Sequence, residues 1–479
     1  MTNKKIRRMS RVSIFWLSSL LFSFLNANAQ AGPKPPAVRH EFSVIQAVDY
    51  ALKNNTAVKN ALVDVQLQEQ QNREFTANAY PRINAVLSTT WNPNVATQVL
   101  PNFISPATYQ VLIDQGVKDG NGNPIQMPAD FGFVAAQFGT KYSANAGISL
   151  SQILFDGQVF VGLQARSTAL QFRQKNVEVT EELIKANIHK IYYQLVAGKI
   201  QTELLDANIA LLEKLLHDTR ILYENGFAQW LDIDKVNVQL TNLQTEKSKV
   251  LNTLSNGYYG LKVLMGMPVH DELVLTDRLT DEAIKDGMLE PAAYTYEDRK
   301  EYQYAQIGKT LNEYNVRRYQ LSRIPTILLN GQYAKNAQRN EWNFLSRGQW
   351  FTISNVNLSL NIPIFNGFLT RSRIAQAQLD VKKIGNQLEA LKLSIDNEVA
   401  SSLNNYRSAV AAMDFQKKNM ELAERVYQQT KKKYEIGTGS QMEINTAQTD
   451  LKSAQTYYIT ALYEAIIAKV DYLRSIGKL

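Results

Sequence analysis

The fold is decided by a set of landmarks that occurs twice: Phe155-Asp156-Gly157, then Tyr223-Glu224-Asn225-Gly226, then Leu264-Met265-Gly266. The second copy reads Phe365-Asn366-Gly367, then Tyr434-Glu435-Ile436-Gly437, then Ser475-Ile476-Gly477. The offset is 210 residues at the first landmark and 211 at the other two, far longer than a solenoid repeat of about 20–50 residues. We therefore predict a duplicated half-protein: two extended helical hairpins, each entered from a pair of strands.

Long helices are predicted between these landmarks, because residues 129–267 and 364–479 contain no proline. Apolar residues recur at seven-residue steps in the first arm from Leu163 to Ile191. In the second arm the apolar positions lie about 3.5 residues apart, the coiled-coil period. They are Ile374, Ala377, Val381, Ile384, Leu388, Leu391, Ile395, Val399, Leu403, Tyr406, Val410 and Met413. A helix over 158–225 would be roughly 100 Å long at 1.5 Å per residue.

Two strand pairs are predicted between the helices, 82–91 with 141–153 and 326–335 with 349–363. Apolar and small polar residues alternate strictly over 142–151 and 355–362, and neither stretch contains a charge. This pattern is typical of a transmembrane β-strand, although a soluble sheet with one wet face shows it too. The N-terminal sequence and the attached helices favour the transmembrane interpretation.

Residues 1–29 are predicted to be a secretory signal peptide. A basic region precedes the apolar core Ile14–Leu25, and Ala27-Asn28-Ala29 has the small residues of a cleavage site. Its removal takes away five basic residues and lowers the formal net charge from +8 to +3, which gives no reason to expect a nucleic-acid partner. The chain has no cysteine, so neither a disulfide nor a lipidated cysteine is expected.

Four strands cannot close a barrel, and an open sheet edge is not tolerated in lipid. We therefore expect assembly with further copies of the chain. Two, three or four copies would give eight, twelve or sixteen strands, and strand counting leaves that choice open.

The tandem architecture resembles the TolC-like outer-membrane efflux channels. The motifs that carry the resemblance are Ala-Leu-Lys-Asn-Asn at 51–55, Tyr80-Pro81-Arg82-Ile83, Ile362-Pro363-Ile364-Phe365-Asn366-Gly367 and the Tyr-Glu-x-Gly turns. The resemblance implies an α+β membrane protein in which a long α-helical coiled-coil barrel in the periplasm joins a transmembrane β-barrel. It also implies a homotrimer with twelve strands, set in outer-membrane lipid, and two partners: a periplasmic adaptor (membrane fusion) protein and an inner-membrane pump.

The expected organisation follows from these elements. A mature leader (30–42) precedes the first structural repeat (43–266), with a helix, a strand pair over 82–153 whose external loop is 92–140, and a helical hairpin over 158–265. A mixed equatorial subdomain (267–295) precedes the second repeat (296–479), with a helix, a strand pair over 326–363 and a helical hairpin over 368–476.

The resemblance places the functional residues at the two hairpin turns, near the periplasmic end. Glu443 matches an acidic position that lines the closed aperture, with Asp232 as its counterpart in the first repeat and Thr446 where some members carry a second acid. The adaptor-docking tips are expected at Gly226, Phe227, Trp230, Gly437, Thr438 and Ser440. Alternatively, Glu443 and Asp232 are simply acids in a first helical turn, where they stabilise the helix.

The function implied is a passive duct for small-molecule efflux. A channel for type I protein secretion is the alternative within that class, and a non-channel periplasmic coiled-coil scaffold is the alternative outside it. No enzyme activity and no cofactor are expected. The four histidines lack metal-site spacing, and Asp119-Gly120-Asn121-Gly122-Asn123 has Pro124 where a calcium loop needs glycine.

Overall fold

The computed structural model describes residues 38–285, 293–346 and 348–479, so the expected signal peptide lies outside the described residues. Its helices, in chain order, are α1 (Val44–Asn54), α2 (Thr56–Ala77), α3 (Ile104–Asp114), α4 (Gly157–Glu224), α5 (Trp230–Met265), α6 (Asp281–Lys285), α7 (Lys300–Leu321), α8 (Leu369–Glu435) and α9 (Gln441–Ser475). Its strands are β1 (Arg39–Phe42), β2 (Arg82–Trp91), β3 (Thr97–Pro101), β4 (Phe133–Gln137), β5 (Tyr142–Phe155), β6 (Glu272–Leu275), β7 (Thr326–Arg339) and β8 (Phe351–Asn361).

Two compact units make up the described chain. One consists of the chain up to Ala51 together with Gln194–Leu279, and it contains the turn between α4 and α5. The other consists of Leu52–Tyr193 and Thr280–Leu479, and it contains β2, β5, β7, β8 and the α8–α9 hairpin.

The predicted long helices are present, with 68 residues in α4 and 67 in α8. The coiled-coil spacing also predicted the packed face of α8 correctly. None of the twelve apolar positions from Ile374 to Met413 is exposed, and Ile395, Tyr406 and Met413 are almost completely buried. Helix α9 packs along this helix in antiparallel order. The buried stripe supplies the stability that helical propensity alone would not give.

Glycine ends each of the four hairpin helices at a predicted landmark. Gly226, Gly266, Gly437 and Gly477 have φ between +70° and +79°, and the next residue's N–H donates to a carbonyl five residues back, as in Phe227 N to Leu222 O (2.8 Å) and Thr438 N to Lys433 O (2.9 Å). This is the Schellman motif, which needs a left-handed residue that glycine adopts without a Cβ penalty.

The principal sheet has the strand order β2-β5-β7-β8, antiparallel throughout, so the two predicted pairs are joined through β5 and β7. Residues opposite one another in such a ladder share a face of the sheet. One row consists of Ile83, Leu150, Gly331 and Val356, and the neighbouring row consists of Arg82, Ser151, Asn330 and Asn357. The register therefore places most apolar residues of the four strands on one face of the sheet and most polar residues on the other.

Two segments differ from the sequence-based expectation. The end of the expected leader is β1, which pairs in parallel with β6, 233 residues further along the chain. The expected external loop 92–140 contains helix α3 and the antiparallel pair β3–β4. Pro106 lies in the first turn of α3, where the missing N–H is not needed, so this proline does not exclude a helix.

The two Phe-x-Gly turns also differ from each other. At the first, the Asp156 carboxylate accepts a hydrogen bond from Gln158 N (2.7 Å), and α4 starts directly at Gly157. At the second, Gly367 and Phe368 both have left-handed φ, +62° and +65°. An L-residue with a bulky side chain rarely adopts that conformation, so the second turn holds local strain.

Candidate functional site

The two faces of the principal sheet have opposite chemistry. One carries Ile83, Leu87, Ile148, Leu150, Ile327, Leu329, Tyr333, Val356, Leu358 and Leu360, and the other carries Asn84, Ser88, Asn145, Ser149, Asn330, Gln332, Asn355, Asn357, Ser359 and Asn361. Leu87 and Val356 are 82% and 80% exposed, so none of the described residues covers the apolar face there. A large exposed apolar face opposite a face rich in amides and hydroxyls is the arrangement of a wall between lipid and water.

Both outer strands of this sheet have an unpaired edge. Strand β2 pairs with β5 alone and β8 with β7 alone within the described sheet. Their outward N–H and C=O groups have no ladder partner there, which in hydrocarbon would cost several kcal/mol per group. The edges are therefore suited to pairing with strands of another chain.

The first hairpin turn exposes two aromatic side chains. Gly226 N donates to Tyr223 O (3.0 Å) in the turn, and the following Phe227 is 81% exposed. The Trp230 ring packs edge-on against Tyr223, with centroids 5.6 Å apart, yet it is 60% exposed. Trp230 therefore packs within the turn and is also accessible to a partner, whereas Phe227 is mainly accessible.

The second hairpin turn is polar at the equivalent place. Thr438 N and Gly439 N both donate to Lys433 O (2.9 and 3.0 Å), which ends α8. Ser440 caps α9: its hydroxyl accepts from Glu443 N (3.2 Å), and the Glu443 carboxylate accepts from Ser440 N (3.3 Å). This reciprocal pair is a capping box.

The acids expected at an aperture therefore have a role within the single chain. Asp232 accepts from Gln229 N at 3.1 Å and lies 3.5 Å from Lys235 Nζ, so it closes the first turn of α5 as Glu443 closes that of α9. Thr446 donates its hydroxyl to Met442 O (2.9 Å). Both acids match the expectation for a helix N-terminus, and Glu443 remains exposed.

A polar cluster that the sequence did not reveal holds residues 293–302 against the far end of the α8–α9 hairpin. Arg299 is only 4% exposed; it donates to Ser475 O (2.8 Å), Glu398 (3.0 Å) and Glu301 (3.3 Å). Tyr294 and Tyr296 both donate to Asp396 (2.8 and 3.0 Å), and Asp396 raises the pKa of Tyr294 to about 12. Apart from Glu301, which is two residues from Arg299, the partners lie 99 residues or more apart in the chain, so no local motif could have indicated them.

The pKa values of two other carboxyl groups in the same unit are shifted in opposite directions. Burial opposes ionisation of Asp281, but hydrogen bonds from Lys417 and Tyr458 (both 2.7 Å) outweigh it and hold the pKa below its usual range. Burial, aided by the charge of Glu301, raises the pKa of Glu182. The ionised form of Asp281 therefore stabilises the fold, whereas the ionised form of Glu182 in the same unit destabilises it.

The Asp119 segment forms a turn in which one carboxylate oxygen accepts from Asn121 N and Asn123 N (both 2.9 Å). These bonds lower the pKa of Asp119 and use its carboxylate within the turn. Among the described residues no group of three or more His, Asp or Glu side chains could hold a metal ion. None of the helices within those residues has the length and apolarity needed to span a membrane.

Comparisons with known proteins agree on one class. The family described as Outer membrane efflux protein matches residues 298–478. Outer membrane protein TolC of Vibrio cholerae is 21% identical over 343 residues, covering 70% of this chain and 77% of the relative. The toluene efflux pump outer membrane protein TtgC of Pseudomonas putida is 20% identical over 447 residues, covering 91% and 83%.

Solved structures show the same fold. CusC, whose structures concern transmembrane channel formation, has a TM-score of 0.72 at 16% identity and covers 92% of this chain and 93% of its own. The outer membrane protein VceC of Vibrio cholerae has a TM-score of 0.67 at 13% identity and covers 91% and 96%.

The two-faced sheet, the long helical hairpins and these matches define an outer-membrane efflux channel, with strands that form a transmembrane β-barrel and helices that form a tunnel in the periplasm. Residues 298–478 match the outer membrane efflux protein family, and the chain as a whole is similar to channels of the TolC type.

Proposed function

We propose that this channel is a passive homotrimeric duct that carries small molecules out of the cell, together with a periplasmic adaptor and an inner-membrane pump. The observation that carries the proposal is the sheet with one mainly apolar face, one face rich in amides and hydroxyls, and two free edges. Three copies joined edge to edge would give a closed barrel of twelve strands lined by amides and hydroxyls. Such a lining suits the passage of varied solutes because most of its side chains are uncharged, with Arg82 as an exception at the start of β2.

Relatives support the small-molecule substrate class. Their names describe an antibiotic efflux pump and a toluene efflux pump outer membrane protein, each 20% identical over 91% of this chain. In this proposal the channel supplies the path, and the pump supplies the energy.

Closure is proposed at the second hairpin turn. Three copies of Glu443 around a threefold axis would form an acidic ring that attracts cations. Asp232 and Thr446 are the other residues proposed for the aperture, each at its own hairpin turn. Opening would move the hairpin ends outward about the turns at Gly226 and Gly437, where no helical hydrogen bond continues from one helix to the next.

Single-channel conductance of the purified mature protein in a planar bilayer, with its mass in detergent, tests the duct and its closure. We expect a trimer with a small, cation-selective conductance. Glu443→Gln should raise the conductance and weaken the cation selectivity. Asp380→Asn, which removes an exposed acid from α8 roughly 80 Å from the turn at 1.5 Å per residue, is the control and should change neither. A protein that never inserts would exclude the duct, and a silent Glu443→Gln would exclude the acidic ring.

Adaptor docking is proposed at the hairpin turns through Gly226, Phe227, Trp230, Gly437, Thr438 and Ser440. Exposed aromatic side chains such as Phe227 and Trp230 are the residue type enriched at the centres of protein interfaces.

Site-specific cross-linking to the adaptor tests the docking residues. Phe227→Ala/Trp230→Ala should reduce cross-linking at least tenfold, since interface aromatics cost about 2 kcal/mol or more on truncation. Phe415→Ala, an exposed aromatic on α8 away from the turn, is the control. Undiminished cross-linking of the double variant would reject docking at the first turn.

A further inference from the structure

A cavity of about 250 Å³ lies where β7 and β8 meet the helices. Arg323 and Arg371 line it together with Ile364, Phe365 and Phe368. Arg323 is three residues before β7 begins, and the other four follow the end of β8 at Asn361. The cavity therefore lies at the helical end of the strands, which in an outer-membrane channel is the level of the periplasmic leaflet.

The apolar wall of the cavity is exposed. Ile364 is 94% exposed, and Phe365 and Phe368 are also exposed, with their rings packed edge-on at 5.4 Å between centroids. The left-handed Phe368 holds its ring at the surface in a conformation that such a residue rarely adopts. This wall continues the uncovered row of Leu358 and Leu360 on the apolar face of β8. It is thus contiguous with the surface that faces lipid.

The polar wall of the cavity is basic. Arg323 and Arg371 are exposed, and neither guanidinium has a hydrogen-bond or ion-pair partner among the described residues. Arg371 lies in the first turn of α8, where the helix dipole disfavours a cation. Two neighbouring guanidinium groups without partners, one of them at a helix N-terminus, are complementary to an anion from outside the chain.

The equivalent turn of the first half carries an acidic residue. There the aspartate of Phe155-Asp156-Gly157 caps its helix, whereas Phe365-Asn366-Gly367 has the neutral Asn366, bonded to Thr370. The position 210 residues before Arg371 is Val161, which is buried. The basic cavity is therefore a property of the second junction and not of Phe-x-Gly turns in general.

We propose that this cavity binds the headgroup phosphate of an anionic phospholipid in the periplasmic leaflet. Arg323 and Arg371 hold the phosphate, and Ile364, Phe365 and Phe368 contact the first part of the acyl chains. Guanidinium groups match phosphate oxygens in geometry and charge, and exposed aromatics at the headgroup level anchor a membrane protein. The inference rests on the proposed outer-membrane channel and assigns its junction a lipid partner.

Native mass spectrometry of the full mature protein in detergent, titrated with phosphatidylglycerol, tests the site. The wild type should bind phosphatidylglycerol in preference to phosphatidylcholine. Arg323→Gln/Arg371→Gln should weaken phosphatidylglycerol binding about thirtyfold, because each arginine near an anionic headgroup contributes about fivefold. Lys418→Gln/Arg425→Gln removes two exposed cations from the same helix α8 and should leave binding unchanged.

The outcomes separate this site from the alternatives. Equal phosphatidylglycerol binding by the arginine variant and the wild type would overturn the proposal, as would displacement of the lipid by millimolar inorganic phosphate. Assemblies larger than the trimer that disappear in the arginine variant would identify the occupant as another copy, and would overturn it too. Conductance distinguishes failure of the lipid site from failure of the proposed channel. If the wild-type protein conducts but shows no lipid preference, only the lipid site is refuted. If it forms no pore, the channel is refuted.

Discussion

Replacing Arg299 by glutamine should loosen residues 293–302 from the C-terminal end of α9. The guanidinium is buried and donates to the carbonyl of Ser475, at the negative end of the helix dipole. A hydrogen bond from a charged donor contributes about 1.5–3 kcal/mol. Glu301 and Glu398 are 28% and 39% exposed, so each of these ion pairs adds at most about 1 kcal/mol. The expected loss is about 2–4 kcal/mol.

Hydrogen exchange measures this loss locally, without requiring reversible unfolding of the assembled channel. Where exchange reports the opening equilibrium, about 2 kcal/mol corresponds to roughly thirtyfold faster exchange. The amides of Gly477 and Lys478, which donate to Arg474 O and Leu473 O, should show it. The matched control is Arg474→Gln, because Arg474 is partly exposed and 4.0 Å from Glu301. It should change exchange less than about fivefold. Equal effects of the two substitutions, or less than threefold for Arg299→Gln, would refute the reasoning.

Each remaining prediction compares two substitutions that should change the stability of the protein in opposite directions. Asp281→Asn should lower stability at neutral pH and remove part of the acid sensitivity below pH 4, because a depressed pKa gives stability that is lost as pH falls. Glu182→Gln should stabilise the protein at pH 7, since its raised pKa means that folding disfavours the ionised form. Thermal unfolding followed by circular dichroism at several pH values checks both, and a shared sign would contradict them. Gly437→Ala should cost about 1–2 kcal/mol at its left-handed φ, whereas Gly385→Ala, in open space inside α8, should gain up to about 1 kcal/mol. Melting temperatures moving in the same direction would be inconsistent with this assignment.

The elements that sequence predicted well are those whose signal is local and repeated. The positions from Ile374 to Met413 follow one spacing through eleven turns of helix, and a wrong period could not keep all of them from being exposed. The strands of the principal sheet were found because one face must be apolar. A shift of one residue would reverse every side chain, so the alternation also fixes the register.

The elements that sequence missed depend on distant partners. Strand β1 has four residues, and its partner β6 begins more than 200 residues later. Neither segment is long enough to show a period. At the hairpin turns the spacing Ser440-x-x-Glu443 is readable as a capping box, whereas Gln229 as the residue before α5 is not a preferred cap. Glu398 on α8 and Ser475 on α9, by contrast, reach Arg299 only through the fold.

The pairing of β5 with β7 sets the order in which the molecule can be completed. A chain that leaves the cytoplasm N-terminus first exposes β5 while its partner, which begins at Thr326, is still about 170 residues from emerging. Until then the edge of β5 that pairs with β7 has no partner strand. Closing so long a loop is slow, and an uncovered apolar edge invites aggregation. We therefore expect the first half of the chain to need protection from aggregation until the second half has emerged.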